Sequence, residues 1–171
     1  IGLFDPFLFL YHDDLDLGWR AACLNIKSFF VPSVKIKHVS SYSLQWSAKK
    51  FFWLERNRKY CLLTHYSLPT RKKMRLGLFI VDLMIFFFYL GKGMIKAKIN
   101  ADLEILKNRK IIQRRYRELE KIKTVPDKVL IEKFADTIFI PEDVSNELTG
   151  KLFNRILGLI TRYTKRRLSF S

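Results

Sequence analysis

The sequence predicts an α/β first third followed by a mainly α-helical remainder. Three observations carry this expectation. Short apolar runs punctuated by Pro, Asp and Ser crowd the first 38 positions. From Leu44 to Tyr66 there is neither Gly nor Pro. Beyond that, apolar residues recur at helical spacing beside clustered bases.

Taken in order, Phe7-Leu8-Phe9-Leu10-Tyr11 has the character of a strand or a buried approach. Asp13 to Leu24 is expected to be a helix, because its acids fall in the first turn, where the helix dipole favours negative charge. Lys27–Val31 and Val34–His38 are two strand-like pieces separated by Pro32, followed by a polar loop at Ser40–Ser43. Leu44 to about Tyr66 is a long helix with aromatics and a basic face, closed by Pro69. Leu76–Leu90 is strongly apolar, interrupted by Gly77 and Asp82. Ile99–Lys123 is a charged helical stretch containing Arg114-Arg115-Tyr116-Arg117, and Leu152–Arg167 repeats an amphipathic basic pattern. The expected division is residues 1–66, 67–98 and 99–171.

Composition narrows the function classes. The 171 residues carry a formal charge of +16, yet 49% are hydrophobic and 15% aromatic, too apolar for a disordered basic tail. Cys23 and Cys61 have no Cys-x-x-Cys spacing, which excludes a disulfide framework or a cysteine-rich zinc site. Three histidines, His12, His38 and His65, leave little for a histidine metal cage. The chain opens on Ile1 with no initiator Met, so the true start is expected upstream. Charge is unevenly placed: the first 48 residues are neutral, whereas residues 49–75 hold nine bases against Glu55 alone. Both a nucleic-acid binder and a membrane-surface protein have such a basic middle.

The chemistry-bearing feature is Tyr11-His12-Asp13-Asp14-Leu15-Asp16-Leu17-Gly18-Trp19-Arg20. Three carboxylates at a helix start serve either as dipole-complementing surface acids or as a site for a proton, a cation or a cationic partner. Adjacent Asp13 and Asp14 suit general-base work. Asp14-x-Asp16 offers the hard oxygens that magnesium or manganese takes.

Four pieces of this chain, in order and spacing, resemble the second half of the catalytic domain in family 2 glycosyltransferases, in particular the rhamnosyltransferase-like branch. They are Leu3-Phe4-Asp5-Pro6-Phe7-Leu8-Phe9-Leu10-Tyr11; Asp13-Asp14-Leu15-Asp16-Leu17-x-Trp19-Arg20; His38 with Ser40 and Ser41; and Glu55-Arg56-Asn57-Arg58. The likeness covers residues 1–66. Asp13 stands where the family usually has Glu, and Asn25-Ile26 where it has Gly-Tyr.

The resemblance implies the C-terminal half of a GT-A domain, with the nucleotide-binding half upstream and this chain alone inactive. It implies sugar transfer with inversion from a nucleotide-sugar donor to a glycan or lipid-linked acceptor. Asp14 matches the base that takes the acceptor proton; Asp13 and Asp16 match residues that orient it and hold the helix start. His38 matches a metal or diphosphate ligand, with a divalent cation (Mg or Mn) as cofactor. Arg56 and Arg58 are candidates for donor phosphate contacts, against a basic helix surface as the plainer reading. Trp19, like Trp46, is a candidate acceptor platform, against a core aromatic.

Leu76–Leu90 with its basic flanks, and the amphipathic C-terminal stretch, predict attachment to a membrane surface, at the cytoplasmic face of the cell membrane. A non-catalytic basic protein of the membrane surface or of nucleic acid is the alternative class. No zinc-finger, RNP or Gly-x-x-Gly signature supports nucleic acid as a partner, and the acid cluster opposes a phosphate-binding face there.

Overall fold

The computed structural model describes residues 1–37, 47–138 and 147–169. Of these, 72% are helical and none lies in a strand, which overturns the expected α/β first third and with it the GT-A half-domain. The reason lies in what a strand requires. A strand-like pattern forms a strand only beside another strand that completes its ladder. Around Phe7–Tyr11, side chains of a helix supply that need instead: Arg56 donates to the Phe7 carbonyl, and Asn57 donates to those of Leu10 and Tyr11. The pieces at Lys27–Val31 and Val34–Lys37 expose Phe29, Phe30 and Ile36 by 80%, 89% and 84% and bury no face. His38, Ser40, Ser41 and Trp46 lie outside the described residues.

Seven helices follow one another among the described residues: α1 (Asp13–Cys23), α2 (Ala48–His65), α3 (Leu68–Gly91), α4 (Ile95–Lys107), α5 (Arg109–Ile122), α6 (Asp127–Glu132) and α7 (Glu147–Ser169). α1 starts where acids suit the dipole and ends on Arg20 in its last turn. α2 starts at Ser47, whose Oγ accepts from the Lys50 amide at 3.3 Å. Pro69 falls in the first turn of α3, where a missing N–H costs nothing, so it opens a helix as well as following one.

The chain divides into two units. The first comprises Ile1–Tyr66 and Phe86–Val125. Its core is Leu8, Tyr60, Cys61, Ile105 and Ile112, with Phe7 and Leu63 against it; α2 is the central helix and packs on α4 and α5. Phe7 stacks on Tyr60 with centroids 4.4 Å apart, which seats the N-terminal segment on α2. The end of α1 is tied to the chain beyond α5, where the Thr124 and Val125 amides and the Thr124 hydroxyl all donate to the Cys23 carbonyl.

The second unit comprises Ser67–Ile85 and Pro126–Ser171. Ser67 Oγ lies 3.0 Å from Thr70 Oγ1, and the Ser67 amide donates to Asp127 Oδ2 at 2.8 Å, fixing the entry to α3. A Cβ on Gly77 would stand 2.7 Å from Cγ2 of Ile160, so the missing side chain is what lets α3 and α7 approach there.

Candidate active site

The acidic start of α1 is held from beneath by α2. Tyr11 and His12 both adopt left-handed backbone, at φ 69° and 64°. For bulky residues outside glycine this costs roughly 1–3 kcal/mol each and persists only where surroundings enforce it. Asn57 is the enforcing residue: buried on α2, its amide donates to the Leu10 carbonyl at 2.7 Å and to Tyr11's at 2.8 Å. Its Oδ1 accepts from Arg56 Nε at 2.8 Å, which orients the amide. The Arg56 guanidinium is layered between Phe7 (4.4 Å) and Trp53 (4.2 Å).

The turn ends in three carboxylates with different surroundings. Asp16 is fully buried: its Oδ1 lies 2.8 Å from His65 Nε2, and its Oδ2 accepts from Arg20 Nε at 2.9 Å. Burial pushes the Asp16 carboxyl up, but the His65 and Arg20 bonds and charges outweigh it and leave it below the ordinary range. Burial pushes His65 down further than Asp16 raises it, so the imidazole is neutral and its Nε2–H donates to an ionised Asp16. Arg20 in turn donates to the carbonyls of Ile1 and Leu3, binding the N-terminal segment to α1. Asp14 is exposed, with Oδ1 accepting from the Leu15 amide at 2.8 Å, and Asp13 is half-buried. Among the described residues no cation stands within ion-pair distance of Asp13 or Asp14.

His12, between the strained turn and these acids, is held below its ordinary value chiefly by burial, against the pull of Asp14 and Asp13. Its buried Nδ1 has no hydrogen-bond partner among the described residues.

The other expected site residues take these places. Trp19 is buried, stacked on His65 at 5.4 Å and tilted against Tyr66 at 4.9 Å. Arg58 makes a two-pronged pair with Glu55, at 2.8 and 2.9 Å, and buried Lys98 also reaches Glu55 at 3.1 Å. Arg56 meets protein groups as described. His38, expected at a metal, lies outside the described residues. Among those residues no three His, Cys, Asp or Glu side chains converge as a cation cage.

Comparison with protein-family models, curated proteins and solved structures gave no match.

The site therefore stands on its geometry. Two of the four motif pieces, separated widely in sequence, meet here: the acidic helix start and Glu55-Arg56-Asn57-Arg58. The sequence reading missed three of its parts: the role of Asn57, the His65 partner of Asp16, and the left-handed pair. Asp16 and Arg20 at i and i+4 were a readable pair; His65, 49 positions from Asp16, carried no local signal.

Proposed function

We propose that the chain is the C-terminal part of an inverting, nucleotide-sugar-dependent glycosyltransferase that works at a membrane surface. The observation carrying this reading is the Asn57-braced turn, which spends backbone strain to hold an exposed Asp14 beside a structural Asp16. A surface-acid helix start needs no such brace. Asp14 takes the proton from an acceptor hydroxyl, Asp13 steadies it, and Asp16, locked by Arg20 and His65, keeps the helix start in place. The reading rests on this turn and the α2 motif, and uses no sheet.

The membrane part is supported by α3. Its 24 residues reach about 36 Å, and only 11% of its most apolar 18-residue window is buried. Leu76, Phe79 and Leu83 are exposed on it, with Arg71, Lys72, Lys73 and Arg75 on the preceding turns. These support an acceptor that is a glycan or lipid-linked sugar presented at the cytoplasmic face. Arg56 and Arg58, committed to Phe7, Asn57 and Glu55, are given no part in holding the donor phosphate.

The test is a transfer assay on the protein as encoded in full, with a panel of nucleotide sugars and membrane acceptors. Asp14→Asn abolishes transfer while donor binding persists. Transfer that survives Asp14→Asn sinks the catalytic assignment, and a wild type that binds no nucleotide sugar leaves the non-catalytic membrane-surface reading.

A further inference from the structure

The first unit carries a second surface that the acidic turn does not use. On α4, Ala97, Lys98, Ala101 and Ile105 are buried, while Ile99, Leu103 and Leu106 stand on the opposite side, 49%, 48% and 65% exposed. Asn108 barely interrupts the register. Its amide donates to the Glu104 carbonyl at 3.1 Å and its carbonyl accepts from Ile112 at 3.0 Å, so the helical ladder carries into α5. There Ile112 and Leu119 are buried, and Lys110, Arg114, Arg117 and Lys121, spaced i, i+4, i+7, i+11, are exposed. Lys96 and Lys107 fall on the same side by the same spacing. The exposed acid nearby, Glu118, is held by Arg114 at 2.9 Å.

We infer that this stripe, apolar along α4 and basic along α5, is a contact surface for the anionic headgroups of a lipid bilayer. The inference rests on the membrane part of the reading above and is independent of the sugar-transfer part. Charge complementarity selects the occupant. A protein groove would take the three apolar side chains alone, whereas a row of bases continuing the same face for three turns matches a sheet of negative charge. Long Lys and Arg stems let the apolar residues dip while the charged heads stay at headgroup level. A duplex nucleic acid would meet the bases but leave Ile99, Leu103 and Leu106 without a partner.

The experiment labels the full chain at Leu106→Cys with an environment-sensitive fluorophore. Cys23 and Cys61 are buried, so the label goes to the added thiol. The labelled chain is mixed with phosphatidylcholine vesicles containing either no phosphatidylserine or about a third of it, and the same samples are floated. The expected result is a blue shift, quenched by headgroup spin-labelled lipid, with the anionic vesicles only. Replacing Lys110, Arg114 and Arg117 together by Gln lowers the affinity of that response roughly a hundredfold. Protein that floats while the label stays silent overturns this surface and leaves the membrane reading standing. Protein that floats with neither vesicle overturns both. An equal response to neutral vesicles, or a response to a short nucleic-acid duplex in place of anionic vesicles, overturns it as well.

Discussion

Oδ1 of Asp16 lies 2.8 Å from Nε2 of His65, with both side chains buried and Trp19 stacked on the imidazole. This pair joins α1 to the last turn of α2, while Arg20 joins Asp16 to the N-terminal segment. A buried carboxylate met by one neutral and one charged donor is stable only while both remain.

Acid should therefore loosen the first unit in two steps. His65 and His12 are held below their ordinary value of 6.5, so the unfolded chain binds the extra protons as pH falls under that value. Their contribution is complete above it and declines below. Asp16, held under its ordinary 3.8, adds a second loss at lower pH. Thermal midpoints measured from about pH 8 to about pH 5 should fall on acidification. In His65→Gln, which keeps a donor to Asp16 without titrating, the slope should flatten to the part left by His12. An unchanged slope would show that His65 binds protons equally in the folded and unfolded chain, and a steeper one that it is protonated in the fold.

Asp14 and Asp16 should respond oppositely to the same change. Asp16→Asn leaves the Arg20 guanidinium buried without its counter-charge and should destabilise by about 3–5 kcal/mol in chemical denaturation. Asp14→Asn, at an exposed carboxylate, should stay within about 0.5 kcal/mol of wild type while abolishing transfer in the full protein. Equal stability losses would place both acids in the same structural role.

Asn57→Leu removes the amide that donates to the Leu10 and Tyr11 carbonyls and frees the strained turn. Its expected cost is about 1–3 kcal/mol, and in the full protein kcat should fall more than KM rises. Asn57→Asp, which keeps one acceptor and loses both donors, should behave like Leu. If Asn57→Asp is as active as wild type, the donor contacts do not hold the turn.

Gly77→Ala should destabilise the second unit, because its methyl meets Ile160 Cγ2 at 2.7 Å; an overpacked helix contact costs about 1–3 kcal/mol. Adding Ile160→Ala should recover part of that loss, and a double-mutant cycle read by denaturant melts measures it. Additive losses would mean that α3 and α7 are not in contact at this point.

The long helices were legible because their signals are local. Residues 48–65 lack both Gly and Pro, whereas the start of α3 was not legible, because Pro69, expected to close the preceding helix, falls in the first turn of α3. The acidic first turn likewise announced α1. What misled was the alternation of Val34-Lys35-Ile36-Lys37, which specifies a strand only in company. Within the site, Asp13, Asp14 and Asp16 stood out from composition alone. The rest depended on burial that spacing does not reveal. α2 was expected to present a basic face, yet it buries Glu55, Arg56, Asn57, Thr64 and His65. No glycine or asparagine flagged the left-handed backbone at Tyr11 and His12, because the distant Asn57 imposes it.

The clasp between Thr124 and the Cys23 carbonyl spans 101 positions, and this sets a timetable. At about 5–20 residues per second, a ribosome reaches Thr124 roughly 5–20 s after Cys23. Through that interval the Cys23 carbonyl has only water to accept from, and Ile105 and Ile112 have yet to close over Leu8. Nascent chains arrested before α5 should thus leave the acidic turn open to protease, and those arrested well past Val125 should protect it. The first unit is finished late although its chemistry is encoded early.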